Sequence, residues 1–161
     1  MTLQQARGTF DVDLQPGATE LGGAVGRFDL TKTYSGDLEG DGAGIMLSAG
    51  NAQEGSAGYV ALETVTGILN GRAGGFALQQ FGVMDGGDHS LTYVVVPGSG
   101  SGELVGITGA LDLTIDDDGT HHYELDYELR NKSMTHEEAV AMRGAGAIRE
   151  VPGDESPAEF T

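Results

Sequence analysis

Tyr59-Val-Ala-Leu-Glu-Thr-Val-Thr-Gly-Ile-Leu69, followed by Asn70-Gly71 and then by Phe76-Ala-Leu-Gln-Gln-Phe-Gly-Val-Met84, decides the fold. Side chains along an extended strand alternate between two faces. Tyr59, Ala61, Glu63 and Val65 therefore share one face, and Val60, Leu62 and Thr64 the other. Asn-Gly is turn chemistry, because both residues accept left-handed backbone. The stretch reads as two long strands joined by a turn.

The same alternation recurs outward in both directions. Phe10, Val12 and Leu14 alternate with Asp11 and Asp13, and Phe28 and Leu30 with Arg27, Asp29 and Thr31. Leu38 to Leu47 is a weaker run broken by glycine, and Leu91 to Val96 is apolar and β-branched. Leu104 to Ile115 carries Leu111, Leu113 and Ile115 at spacing two, and Tyr123, Leu125, Tyr127 and Leu129 complete the set. That makes about eight strands. Connections such as Asp85-Gly-Gly, Pro97-Gly-Ser-Gly and Asp117-Asp-Gly are mostly too short for crossover helices, so neighbours pair antiparallel. The expected fold is all-β, an eight-stranded antiparallel up-and-down β-barrel. Closure removes sheet edges. A sandwich is the alternative, and strands as long as Gly55 to Gly71 favour the barrel. A barrel of eight strands encloses packed side chains or one small ligand.

The pattern changes after Arg130. Residues 1–130 read as the barrel domain and 131–161 as an extension. Thr135-His-Glu-Glu138 resembles a capping box, which predicts a short helix over about 135–143 with Val140 and Met142 on its apolar side. With Met134 it could lie over one barrel mouth as a lid, or on the outer wall. The acidic stretch from Pro152 onward reads as a mobile tail.

Composition narrows the function. The 161 residues carry 8 basic and 25 acidic side chains, a net charge of −17, which repels nucleic acid and anionic membrane surfaces. No cysteine is present, which removes disulfides, thiolate catalysis and thiolate zinc sites. No run of about 18 apolar residues predicts a membrane-spanning helix. The N-terminus has no basic segment leading into an apolar one, so a cytoplasmic location is expected. Glycine is abundant, 28 residues against 4 prolines, without collagen's period, and marks turns and bulges.

Several segments jointly resemble the bacterial family DUF3224. They include Lys32-Thr-Tyr-Ser-Gly-Asp-Leu-Glu-Gly40, Gly44-Ile-Met-Leu47, Gly55-Ser-Ala-Gly-Tyr-Val-Ala-Leu-Glu63, Gly67-Ile-Leu-Asn-Gly-Arg72, Phe76-Ala-Leu-Gln-Gln80, Val96-Pro-Gly-Ser-Gly100 and Gly102-Glu-Leu104. They stand in family order over roughly residues 6 to 130. The resemblance implies an allene oxide cyclase-like barrel and carries over no catalytic residue. By fold analogy it raises the expectation of a cofactor-free cyclase or isomerase. The chain departs from the family pattern at Gln80 and Phe81, where relatives often carry a histidine and a small residue.

Lys32 shares a strand face with Phe28, Leu30 and Tyr34. A charge on an apolar face must be paired or reach water. If both strand faces point inward, Lys32 and Glu63 meet inside the barrel, where Glu63 serves as a general base or holds a polar ligand group. They are the catalytic candidates; the competing readings are a structural ion pair and a face that points outward. Tyr34, Tyr59, Gln80, Tyr93 and Met84 are the ligand-binding candidates, with ordinary barrel packing as the competitor. His121 and His122 are neighbours on a strand and point to opposite faces. No metal-ligand spacing, phosphate loop or nucleophile elbow is present, so no cofactor or metal is expected. The expected partner is a small apolar ligand in the barrel, bound by a catalyst, a carrier, or a structural barrel whose lumen is filled. Apolar side chains on both faces of the Tyr59 strand further predict that one face is covered by another subunit, in a homodimer or trimer, or by the tail.

Overall fold

The computed structural model describes residues 2–130. The expected helix at 135–143, the lid reading and the acidic tail lie outside the described residues. Nine strands form: β1 (Gln4–Gly17), β2 (Val25–Gly36), β3 (Leu38–Asn51), β4 (Ser56–Leu69), β5 (Arg72–Asp85), β6 (Asp88–Val95), β7 (Ser101–Gly102), β8 (Ile107–Ile115) and β9 (His121–Leu129). Eight of them close a ring in the order β1-β2-β3-β4-β5-β6-β8-β9, with β9 pairing back onto β1. Every pairing is antiparallel. The eight-stranded up-and-down barrel is therefore the fold.

The hairpins explain the register. Leu69 and Arg72 pair across Asn70 (φ 46°) and Gly71 (φ 83°). Both turn residues are left-handed, the geometry whose twist matches the strands it joins. Asp85 and Asp88 pair in the same way across Gly86 and Gly87. One segment differs from the sequence reading. The run expected from Leu104 starts at Ile107, because Gly102 (φ 61°) and Gly106 (φ 87°) turn the chain between them. Ser101–Gly102 instead forms β7, a short extra strand on Gly74 and Gly75 of β5.

The lumen is filled unevenly. At one end Leu38, Leu69, Leu104, Ile107, Leu125 and Tyr127 are all but inaccessible. Tyr127 is tied there by Asn70 Nδ2, which donates to its hydroxyl at 2.8 Å. Burying each such side chain contributes roughly 1.5–3 kcal/mol. Towards the other end the inward positions are Leu14, Leu30, Met46, Tyr59, Ala61, Gln80, Leu113 and Ile115, and these side chains do not fill the space. The outer face of β3, β4 and β5 is apolar, with Ile45, Val60, Leu62 and Phe81 each about half exposed. No helix among the described residues is long and apolar enough to cross a membrane.

Candidate functional site

Register assembles the polar cluster. Lys32 on β2 stands opposite Gly42 of β3, and Glu63 on β4 stands opposite Gly44 of β3. The two charged residues are therefore one strand apart, on the same inward face. The intervening glycine leaves the gap they need. A Cβ at Gly42 would come 2.7 Å from Glu63 Oε2 and 3.2 Å from the Tyr34 ring.

Both side chains are nearly inaccessible, 6% exposed for Lys32 and 1% for Glu63. Lys32 Nζ donates to Glu63 Oε1 at 2.7 Å and to the Tyr93 hydroxyl oxygen at 2.7 Å. The Tyr93 hydroxyl donates to Glu63 Oε1 at 2.7 Å, and the Tyr34 hydroxyl to Glu63 Oε2 at 2.9 Å. Both carboxylate oxygens are thus engaged by three donors. The Lys32 ammonium also lies 4.6 Å from the centroid of the Phe10 ring, within cation–π range. Burial pulls the Lys32 ammonium below the ordinary lysine value, against the opposing attraction of Glu63. Burial pushes the Tyr34 and Tyr93 hydroxyls well above the ordinary phenol range, and the Glu63 charge adds to it.

A second pair sits nearer the open end. The Tyr59 hydroxyl donates to Gln80 Oε1 at 3.0 Å. The Tyr59 ring occupies the space that a Cβ at its cross-strand partner Gly82 would take.

The cavity separates these residues into two groups. A space of about 210 Å³ is lined by Lys32, Tyr59 and Gln80 among apolar side chains that include Leu30, Ala61 and Leu113. It shares Met46, Tyr59, Leu113 and Ile115 with a wider mouth of about 540 Å³, where Met84, His89 and Leu91 stand. Lys32, Tyr59, Gln80 and Met84 are therefore in position to touch a guest. Glu63, Tyr34 and Tyr93 do not line either space. They lie behind Lys32, with Glu63 and Tyr93 hydrogen-bonded to its ammonium and Tyr34 to Glu63. His121, also at the rim, was absent from the expected site. Its ring packs 5.1 Å from that of Phe10. Its inward direction follows from alternation with Tyr123. His122 points outward to Asp116. Among the described residues no three histidine or acidic side chains converge as a metal site.

A model of the family described as "protein of unknown function (DUF3224)" matches residues 6–127. The chain belongs to the DUF3224 family. A solved DUF3224 protein of unknown function, from Shewanella oneidensis MR-1, is 45% identical. The likeness covers 81% of this chain and 99% of that one, with a TM-score of 0.75. No curated protein matches. Membership in DUF3224 agrees with the barrel and supplies no reaction, so the chemistry rests on the lumen.

Proposed function

We propose that this barrel takes a small, mostly apolar molecule into its open end and acts on it as an isomerase or cyclase. The observation that supports the reading is a buried cation, Lys32, at the wall of an open cavity that is otherwise largely apolar. The confined space would fold a flexible substrate into its reactive conformer. The Lys32 ammonium, fixed by Glu63 and Tyr93, would polarise a substrate oxygen and donate a proton to it as charge develops.

The test compares the native and denatured masses of the purified chain, then follows any released molecule with fresh protein. A retained ligand that is converted by the native chain and left unchanged by Lys32→Met supports the reading. No retained mass, together with no uptake of an apolar fluorescent probe, overturns it.

A second reading is a carrier without chemistry. The position of Glu63 favours it, because the carboxylate lines neither open space and already holds three donors. A carrier returns its ligand unaltered.

A further inference from the structure

Gln80 is 7% exposed and sits on β5 between Ala61 of β4 and Tyr93 of β6. Its carbonyl oxygen accepts the Tyr59 hydroxyl at 3.0 Å, which fixes the orientation of the amide. The NH₂ end is then turned away from Tyr59, and it donates to no acceptor among the described residues. Gln80 also lines the cavity of about 210 Å³. The Gln80 NH₂ is not among the buried atoms left without a partner, so it is open to the cavity, and a guest that displaces solvent from it without supplying an acceptor strands it at a cost in free energy. A guest that supplies the acceptor removes that cost, and a hydrocarbon does not.

We infer that the buried end of the ligand is a neutral carbonyl oxygen, of a ketone, ester or amide, that accepts a hydrogen bond from the Gln80 amide N–H. This rests on the lumen-binding reading and adds the ligand's chemical class and orientation to it. Neutrality follows from the charges that face the cavity. The Lys32 ammonium is already answered by Glu63 at 2.7 Å, so the wall is electrically balanced. A carboxylate head would bring a charge out of water with no free counter-charge to meet it. It would also enter a chain of net charge −17. The other titratable groups on this wall are Tyr59, whose hydroxyl donates to Gln80, and His121 at the rim. The apolar remainder of the guest runs from Gln80 past Met46 and Leu113 to the mouth at Met84.

The experiment measures binding of three size-matched probes to the full chain by calorimetry: benzylacetone, a ketone; isopentylbenzene, a hydrocarbon; and hydrocinnamate, an anion. The readout is the ratio of ketone to hydrocarbon affinity, because simple partitioning affects both proteins alike. One hydrogen bond corresponds to about three- to tenfold. That ratio should fall by about this factor in Gln80→Met, which keeps side-chain length and removes the donor. It should fall less in Tyr59→Phe, which keeps the ring and frees the amide to turn. Tyr59→Phe carries the test alone should Gln80→Met not fold. An unchanged ratio in a folded variant overturns the inference and leaves lumen binding standing. Tighter binding of hydrocinnamate than of benzylacetone overturns the neutral class. Failure of all three probes to bind overturns both.

Discussion

Lys32 Nζ lies 2.7 Å from Glu63 Oε1 although their strands, β2 and β4, do not pair with one another. The contact bridges over β3 at a glycine, Gly42, and it is nearly closed to solvent. Breaking a buried pair strands one charge, whereas replacing both charges removes the desolvation cost as well. Glu63→Leu or Lys32→Met alone should lower stability by about 3–5 kcal/mol in urea unfolding. The double variant should recover most of that loss. A double variant no more stable than the singles would contradict this account.

Gly42 and Gly23 make a matched comparison. A Cβ at Gly42 meets the Glu63 carboxylate, while one at Gly23 has nothing within 4 Å. Gly42→Ala should cost about 1–3 kcal/mol by overpacking, and Gly23→Ala close to nothing. Equal midpoints in thermal melts would show that the gap at Gly42 is not needed.

Alkaline pH should unfold the barrel. Burial holds Tyr34, Tyr59, Tyr93 and Tyr123 above the ordinary phenol value. Above about pH 10 the unfolded chain has released protons that the folded chain keeps. Stability from these groups is therefore complete below that pH and is lost as pH rises beyond it. Lys32 acts with the opposite sign. Its folded value is lowered, so stability rises with pH between that value and the ordinary lysine value, about 10.4. Above that value only the tyrosine slope remains. Tyrosinate absorbance from the buried groups should appear together with loss of the circular-dichroism signal. Its full appearance in an intact barrel would refute the burial argument.

Ala61 lines the cavity and is 6% exposed. Ala61→Trp should abolish uptake of an apolar fluorescent probe in a protein that still folds, because the ring takes the guest's space. Unchanged probe affinity in the folded variant would place binding elsewhere.

Truncations should separate the two ends of the lumen. Leu125, fully buried, should cost about 2–5 kcal/mol as Leu125→Ala. Ile115, 56% exposed at the mouth, should cost under about 1 kcal/mol as Ile115→Ala. Similar losses at both would show that the open end is packed in solution.

The barrel was legible in the sequence because strand alternation and turn chemistry are local. The Asn70-Gly71 turn and the Tyr59 alternation fix the β4–β5 pairing without any long-range information. Alternation placed Lys32 with Tyr34 on one face of β2 and Glu63 with Tyr59 on one face of β4, and the register of β3 between them brings the two faces together. Parity gives no depth along a strand, however. It could not separate Lys32, Tyr59 and Gln80 at the cavity from Glu63, Tyr34 and Tyr93 behind it, since that depends on barrel shear and on glycines left empty. Alternation set His121 and His122 on opposite faces, but it does not say which of the two faces inward or that His121 reaches the rim. The start of β8 at Ile107 was hidden because positive φ at Gly102 and Gly106 depends on what the chain must pack around, not on the residue type alone.

The division of the lumen into a filled and an empty end also bears on how such a protein diversifies. Folding depends mainly on one end, so the side chains at the other are free to vary between lineages without endangering the scaffold. Met46, Met84 and Ile115 line the open end and lie outside the buried core. A barrel built this way can therefore change the shape of its open end while keeping its fold.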